Sequence, residues 1–210
     1  AGYTIFGGTG GAAGISGTTG LAGLWSMYPL KLDVNPQGWR LFMQRKLDRR
    51  FDEFSQNIFN RDAFTWQFCG WQSKKHQEVI NLDKNYYNNK LSNLVTACGL
   101  CAQCFFLESV DSYGGGLLIY LPEITQNHLN GLCHVLFTAM NKETEYKETA
   151  QNAYRHLKLR AQVIEDEWGG EMQQAAIFGQ LIVESENKAL LKQKIFSAVR
   201  LLPSRAGFRV

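Results

Sequence analysis

The first 30 residues of the chain lack charged side chains altogether, and Lys31 is the first charged residue. A signal peptide needs a basic segment ahead of its apolar core, so this stretch does not fit one. It holds nine glycines before residue 24 and no continuous apolar run of the roughly 20 residues that a membrane-spanning helix needs. We therefore predict a flexible glycine-rich extension over residues 1–30 and a single folded domain over residues 31–210.

The sequence also lacks the motifs of two large enzyme classes. No Lys-Ser or Lys-Thr pair of a phosphate-binding loop follows Gly114–Gly116, and no Gly-x-Ser-x-Gly is present. The charge is nearly balanced, with 22 basic and 19 acidic residues and a net charge of +3. Domains that bind nucleic acid usually carry a dense basic face, so this balance disfavours that class.

Five cysteines are present, and Cys98, Cys101 and Cys104 lie close together at the spacing of metal ligands. Cys69 is half of a second CxxC knuckle whose leading position holds Trp66. Two such knuckles turn their sulfurs toward one point, as tetrahedral zinc requires. We predict zinc as the cofactor and Cys69, Cys98, Cys101 and Cys104 as its ligands.

The fourth ligand is the open point of this prediction. Cys104 follows Cys101 by one helical turn and fits best, while His76 and a water molecule are alternatives. A further alternative is that the metal has been lost and that Trp66 fills the volume left vacant. The remaining histidines lie in helical patterns and are expected to be packed or surface residues: His128, His134 and His156.

Hydrophobic periodicity predicts an α+β fold. Leu47, Phe51, Phe54 and Ile58 form one stripe of an amphipathic helix. A hairpin is predicted from two β-prone runs, 64–70 and 78–83, and a short strand after Gly114–Gly116. Further helices are predicted to begin at Pro122 and to cover 144–168, 172–183 and 186–202. The expected architecture is a small HNH-like ββ hairpin with a cysteine zinc knuckle, surrounded by several α-helices.

The stretch from Glu78 to Ala97 has the layout of an HNH nuclease loop but contains no histidine. In such nucleases a histidine ahead of an asparagine-rich loop activates water, whereas Ile80 and Asn81 stand at those positions here. Asparagine cannot act as a general base near neutral pH. Asp83 is predicted to be a solvated turn residue. Three asparagines are expected to pin the loop: Asn88, Asn89 and Asn93.

Five segments, in this order and at these spacings, carry a resemblance to a known family. They are Gly-Trp-Arg-Leu-Phe-Met from Gly38, Arg-Asp-Ala-Phe-Thr-Trp-Gln-Phe-Cys-Gly from Arg61, Leu-Ser-Asn-Leu-Val-Thr-Ala-Cys from Leu91, Cys-Ala-Gln-Cys-Phe-Phe-Leu-Glu from Cys101 and Tyr-Gly-Gly-Gly-Leu-Leu-Ile-Tyr-Leu-Pro-Glu-Ile from Tyr113. From about Gly38 to Phe208 the chain resembles the DotN (IcmJ) family of the Dot/Icm type IVB secretion system.

The resemblance implies a non-enzymatic, zinc-bearing scaffold of the coupling complex. Such a subunit docks on the C-terminal tail of the coupling ATPase that receives effectors, together with adaptor proteins. It would be cytoplasmic and would reach the inner membrane only through the complex. Cys69, Cys98 and Cys101 would be zinc ligands, and Trp66 corresponds to the family's first knuckle cysteine. Candidate partner-binding aromatics are Trp71, Tyr86, Tyr87 and Tyr113.

Two alternatives belong to other functional classes. One is a metal-dependent HNH-type nuclease rebuilt around Asn81 or Asp83 with a distant histidine, and the other is a zinc-finger nucleic-acid-binding protein without catalysis. The missing histidine weighs against the first, and the balanced charge weighs against both. We therefore expect no enzymatic activity, no small-molecule substrate and no nucleic-acid partner.

Overall fold

A computed structural model of the chain describes residues 27–142 and 145–208. The predicted extension therefore lies outside the described residues as far as residue 26. The chain is anchored soon after that point. The Tyr28 N–H donates to the Gln67 carbonyl (3.1 Å), and the Leu30 N–H donates to Oδ1 of Asn127 (3.0 Å).

The described residues form eight α-helices and two small antiparallel sheets, which confirms the α+β class. The helices are α1 (Pro36–Lys46), α2 (Arg49–Arg61), α3 (Gly99–Ala102), α4 (Gln126–Asn141), α5 (Lys147–Leu159), α6 (Gln162–Trp168), α7 (Ala175–Glu184) and α8 (Lys188–Ile195). The strands are β1 (Gln77–Asn81), β2 (Leu94–Cys98), β3 (Gly116–Tyr120) and β4 (Val199–Pro203). None of the helices formed by these residues combines the length and apolar character needed to cross a bilayer.

The predicted stripe that begins at Leu47 is interrupted, because α1 ends at Lys46 and α2 begins at Arg49. Asp48 caps α2 by accepting a hydrogen bond from the Arg50 N–H (2.9 Å), and Leu47 is left 89% exposed. The other predicted residues of the stripe do lie on one face of α2. They pack on Val79 and Leu94 in a small cluster of their own: Phe51, Phe54 and Ile58.

The first sheet pairs β1 with β2, with Gln77 opposite Cys98 and Asn81 opposite Leu94. The predicted pairing of 64–70 with 78–83 is therefore wrong, since Thr65 forms only an isolated bridge with Gln72. Every residue of β2 is buried, so β2 is the strand that connects the hairpin to the hydrophobic core. β2 ends at Cys98 and so delivers this cysteine to the interior.

The second sheet pairs β3 with β4, from Gly116 opposite Pro203 to Tyr120 opposite Val199. The strand after Gly114–Gly116 is thus confirmed, whereas the helix predicted through residue 202 is wrong. The helix α8 ends at Ile195, and Val199, Leu201 and Leu202 are buried in strand conformation.

Two other helix boundaries also differ from the prediction. The helix α4 begins at Gln126 rather than at Pro122, because the Thr125 side chain accepts a hydrogen bond from the His128 N–H and caps it there. The single helix predicted over 144–168 is divided into α5 and α6. Gly169, with a φ of 92°, ends α6 as expected.

Candidate metal centre

Three segments that are distant in sequence meet beside the first sheet: the turn 66–71, the junction of β2 with α3, and the buried face of α4. The turn places Cys69, the junction places Cys98 and Cys101, and α4 places His134. All four side chains are buried. The structure brings Cys69 and Cys98 together with His134, and Cys101 adjoins Cys98 through its backbone N–H.

The turn that carries Cys69 has a backbone suited to a metal knuckle. The Gly70 N–H donates to the Trp66 carbonyl (2.9 Å), and the Trp66 N–H donates to the Trp71 carbonyl (2.7 Å). Gly70 adopts a φ of 76°, a left-handed conformation that costs glycine little. The knuckle geometry is therefore retained although Trp66 occupies its first position.

Cys98 lies at the N-terminal end of the short helix α3. Its Sγ accepts a hydrogen bond from the Cys101 N–H (3.4 Å). Backbone N–H donors of this kind stabilise a thiolate. The fold thus supplies the second knuckle, Cys98 and Cys101, with a backbone donor to one of its sulfurs.

The distances within the cluster are those of a coordination site. The sulfurs of Cys69 and Cys98 lie 3.9 Å apart, and Sγ of Cys98 lies 3.2 Å from Nε2 of His134. Zinc–sulfur bonds of about 2.3 Å in a tetrahedron put two sulfurs about 3.8 Å apart. The ligand atoms of Cys69, Cys98 and His134 all lie within 4.8 Å of one another. Cys101 adjoins them, and its backbone N–H donates to Sγ of Cys98 (3.4 Å).

His134 is the residue that the sequence analysis missed, since it was expected to be only packed or exposed. It lies on the buried face of α4 together with Asn130 and Phe137, at spacings of one helical turn. The available signal was a histidine in phase with the apolar residues of the helix, such as Phe137. Because α4 is remote in sequence from both knuckles, ligand spacing could not reveal it.

Aromatic rings surround the His134 imidazole. Its centroid lies 5.0 Å from that of Trp66, 5.5 Å from that of Trp71 and 5.6 Å from that of Phe208. Its Nδ1 is buried and has no hydrogen-bond partner within the described part of the chain. The ring is thus held in one orientation by packing, with Nε2 aimed at the sulfurs.

Cys104 is also fully buried, but its hydrogen bonds go elsewhere. Its thiol donates to the Leu100 carbonyl (3.4 Å) and lies 3.7 Å from Nδ2 of Asn130. The same amide nitrogen donates to Sγ of Cys101 (3.4 Å). Asn130 therefore donates a hydrogen bond to Cys101 and also contacts Cys104. The assignment of Cys104 as a metal ligand stays a prediction.

The pKa values of the thiols diverge. Burial opposes ionisation of Cys69, yet its polar neighbours Cys101, Cys98 and His134 outweigh it and hold the Cys69 pKa well below its ordinary value of 9.0. Burial, with Cys69 as neighbour, raises the pKa of Cys98 and of Cys101 well above that value. Burial raises the pKa of Cys104 to about 12. One negative charge is thus favoured at Cys69, and a divalent cation would stabilise further thiolates.

This donor set fits a metal ion. Cys69, Cys98 and His134 could hold one, with Cys101 beside them. Thiolate sulfur and imidazole nitrogen are the ligands that zinc takes in structural sites, whereas magnesium and calcium prefer oxygen. When bound, such an ion would tie the three segments together.

Comparison with known proteins identifies the family. The chain is 55% identical over 183 residues to the type 4 apparatus protein DotN of Legionella pneumophila subsp. pneumophila strain Philadelphia 1, and the alignment covers 86% of each protein. The chain belongs to the DotN family. No family model matches the sequence.

In this DotN-family chain, the positions at which an HNH nuclease would carry its histidine are fully buried. Ile80 and Asn81 are both 0% exposed in β1. Oδ1 of Asn81 accepts a hydrogen bond from Nη1 of Arg45 (2.6 Å), and its amide donates to the carbonyls of Asn85 and Asn88 (2.9 Å each). Asn81 therefore secures the loop after β1 and is not accessible to a substrate.

Asp83 organises this loop as well, which is more than the solvated turn residue that the sequence predicted. Its carboxylate accepts hydrogen bonds from the Asn85 N–H (2.9 Å) and from the side chains of Asn88 (2.7 Å) and Asn93 (2.8 Å). These bonds outweigh the desolvation of Asp83 and lower its pKa. The predicted pinning role of Asn88 and Asn93 is confirmed, whereas Asn89 is exposed and its pinning role stays a prediction. The HNH-like character of the hairpin also stays a prediction.

The four aromatic side chains considered for partner binding do not form one exposed face. Tyr86 is buried, with only 4% exposed, while Trp71 and Tyr113 are partly buried against the core. Tyr87 alone among these four is largely exposed, at 67%. An interaction surface of this DotN-family chain must therefore include other residues.

Proposed function

We propose that the chain is a non-catalytic adaptor subunit of a type IVB secretion apparatus that binds the C-terminal tail of the coupling ATPase. The observation that carries this proposal is the 55% identity to a type 4 apparatus protein over 86% of the chain. As a subunit of the effector-recruiting coupling complex, the protein would be cytoplasmic and would reach the inner membrane through its partners.

The site chemistry supports an adaptor rather than a nuclease. The position of the catalytic base is occupied by Asn81, which cannot take a proton near neutral pH and whose polar atoms are committed to Arg45 and the loop. The proposed ligands are three buried cysteines and a buried histidine, a set typical of structural zinc, whereas a catalytic zinc has three protein ligands and keeps one position open to water or substrate. Zinc would therefore be structural here.

A groove supplies a surface for the tail. It has a volume of about 660 Å³ and lies between residues 29–33, the start of α4 and the helix α8. Its described lining includes four basic side chains and one acidic side chain: Lys31, Lys84, Lys192, Arg200 and Asp33. Lys84 and Lys192 both pair with Asp33, which cannot neutralise both of them.

The apolar part of the groove comes from Leu30, Leu32, Phe196 and Val199. A surface that combines apolar contact with excess positive charge is complementary to an extended peptide bearing both apolar and acidic residues. We commit to an acidic segment of the coupling ATPase tail as its occupant.

The test of the function is affinity purification of the tagged protein from its native host, with mass spectrometry of the proteins recovered. Recovery of a membrane-linked ATPase together with adaptor proteins is the expected result. Nucleic acid without such an ATPase would overturn the adaptor assignment and favour a nucleic-acid-binding role.

The same purification tests the groove. Lys31 is exposed and makes no ion pair within the described residues, so Lys31→Glu changes the groove charge without breaking a contact. We expect Lys31→Glu to reduce the recovered ATPase several-fold. The matched control is Lys90→Glu, an exposed lysine outside the groove, which should leave recovery unchanged. Equal recovery with both variants would place the tail elsewhere.

A further inference from the structure

We propose that His134 is the fourth metal ligand and replaces the cysteine that Trp66 has displaced from the first knuckle. The inference rests on the proposed structural zinc and assigns it a Cys₃His centre formed by Cys69, Cys98, Cys101 and His134. A zinc site would then persist in this chain despite the lost cysteine.

The first step of the argument concerns Trp66. Its backbone keeps the knuckle turn, yet its side chain offers no sulfur and is 2% exposed within the core. The indole lies against the His134 imidazole, with the ring planes inclined by 32°. The residue that removes one ligand therefore packs directly on the residue that can supply another.

The second step concerns the position of His134. Its Nε2 lies 3.2 Å from Sγ of Cys98, and a ring nitrogen lies within 4.8 Å of Sγ of Cys69. The imidazole is thus near one sulfur from each knuckle. The rings of Trp66, Trp71 and Phe208 pack around the imidazole and fix the orientation in which Nε2 approaches Cys98. Ligation through Nε2 gives this buried, oriented imidazole a role.

The competing ligands fit less well. The Cys104 thiol is engaged by the Leu100 carbonyl and the Asn130 amide, and its hydrogen bonds do not reach the sulfurs of the two knuckles. His76 is exposed at the start of β1. Within the described residues, the ligand atoms of Cys69, Cys98 and His134 all lie within 4.8 Å of one another, and Cys101 enters the proposed set as the knuckle partner of Cys98, to whose sulfur its N–H donates.

The experiment uses the full chain, with metal content measured by mass spectrometry and coordination followed by the absorption spectrum of the cobalt(II)-substituted protein. The wild type should bind one ion with the spectrum of three thiolates and one nitrogen. His134→Ala should lower metal affinity by at least about ten-fold, since even residues that only support a ligand contribute that much. Cys104→Ala is the matched control and should keep the wild-type spectrum.

Two gain-of-signal variants keep the test decisive if His134→Ala fails to fold. His134→Cys should bind the ion with a four-thiolate spectrum, which a purely structural histidine would not produce. Trp66→Cys combined with His134→Ala should do the same by restoring the first knuckle. Retained affinity in His134→Ala, loss in Cys104→Ala alone, or a metal-free wild type would each overturn the proposal. None of these outcomes bears on recovery of the ATPase, which tests the adaptor function separately.

Discussion

Among single residues, Glu108 links folding to pH near neutrality. Its Oε1 accepts a hydrogen bond from the Asn35 N–H (3.0 Å), while Oε2 is buried without a hydrogen-bond partner in the described part of the chain. Burial raises the pKa of this carboxyl from its ordinary value of 4.5 to about 7. The folded protein therefore holds the proton more tightly than the unfolded chain does.

The sign of the pH effect follows from linkage. Between pH 4.5 and about 7 the folded state binds more protons at Glu108 than the unfolded state, so stability falls as the pH rises. The contribution is fully present below pH 4.5 and is lost as the pH passes about 7. Glu108→Gln, which stays neutral, should flatten this part of the profile in thermal melts from pH 5 to 8. An equally steep profile in the variant would show that other groups dominate.

The proposed metal ligands show how far single residues can be predicted from sequence. Cysteine spacing singled out Cys69, Cys98 and Cys101 as candidates, because each knuckle is a local turn whose geometry the spacing encodes. His134 reaches them only through the packing of α4, which is a long-range property. The position of Trp66 showed from the sequence that one knuckle lacks a cysteine. It did not identify His134, which lies beside Trp66 in the structure.

Among structural elements, the loop after β1 depends on one side chain. Asn81 accepts from the buried Arg45 and donates to two loop carbonyls, so its loss leaves three polar groups without this partner. We expect Asn81→Ala to destabilise the protein by about 2–4 kcal/mol, from several unsatisfied groups of about 1–3 kcal/mol each with partial relaxation. Denaturant unfolding measures this loss. Asn89→Ala, on the exposed part of the same loop, should be near neutral, and equal effects would contradict the assigned role.

The packing of α7 against the 3₁₀-helical turn formed by Leu107–Tyr113 gives a second prediction about a structural element. A Cβ added to Gly179 would lie 2.4 Å from the Glu108 nitrogen and 2.6 Å from the Leu107 carbonyl carbon, both of them backbone atoms that cannot move alone. Overpacking of this kind typically costs about 1–3 kcal/mol, and we expect Gly179→Ala to reach the upper end. Gly170→Ala is the control, because nothing lies within 4 Å of its added Cβ. A neutral Gly179→Ala would mean that α7 can shift away from the turn.

The elements differ in how well their sequence predicts them. The stripe through Phe51, Phe54 and Ile58 identified a helix. Asp48 caps the N-terminus of α2, so the helix begins after Leu47 although the hydrophobic periodicity includes that residue. The strand β4 is apolar and short, and a short apolar run is equally consistent with a buried helix. Its pairing with β3, from a distant part of the chain, decides its conformation.

For the molecule as a whole, the proposed metal centre would be a cross-link between parts that the chain itself does not connect closely. It would join the turn at Cys69 and the hairpin end at Cys98 to α4, which in turn packs against α5 and β4. Because an unfolded chain holds no preformed site, the free energy of metal binding adds to the stability of the folded state. The sequence predicted cysteine ligands from the two knuckles, whereas the contribution of α4 depends on tertiary packing.

The last prediction concerns removal of the metal. At free zinc a thousand-fold above the dissociation constant, binding contributes about 4 kcal/mol to folding. For a domain of this size that corresponds to roughly 8–16 °C in melting temperature. We expect a chelator to lower the melting temperature of the wild type by that amount and to leave Cys98→Ser, which already lacks a ligand, unaffected. Calorimetric melts of both proteins with and without chelator decide the matter. If the wild type melts at the same temperature in both conditions, the three segments are held by packing alone and the cluster binds no ion that matters to the fold.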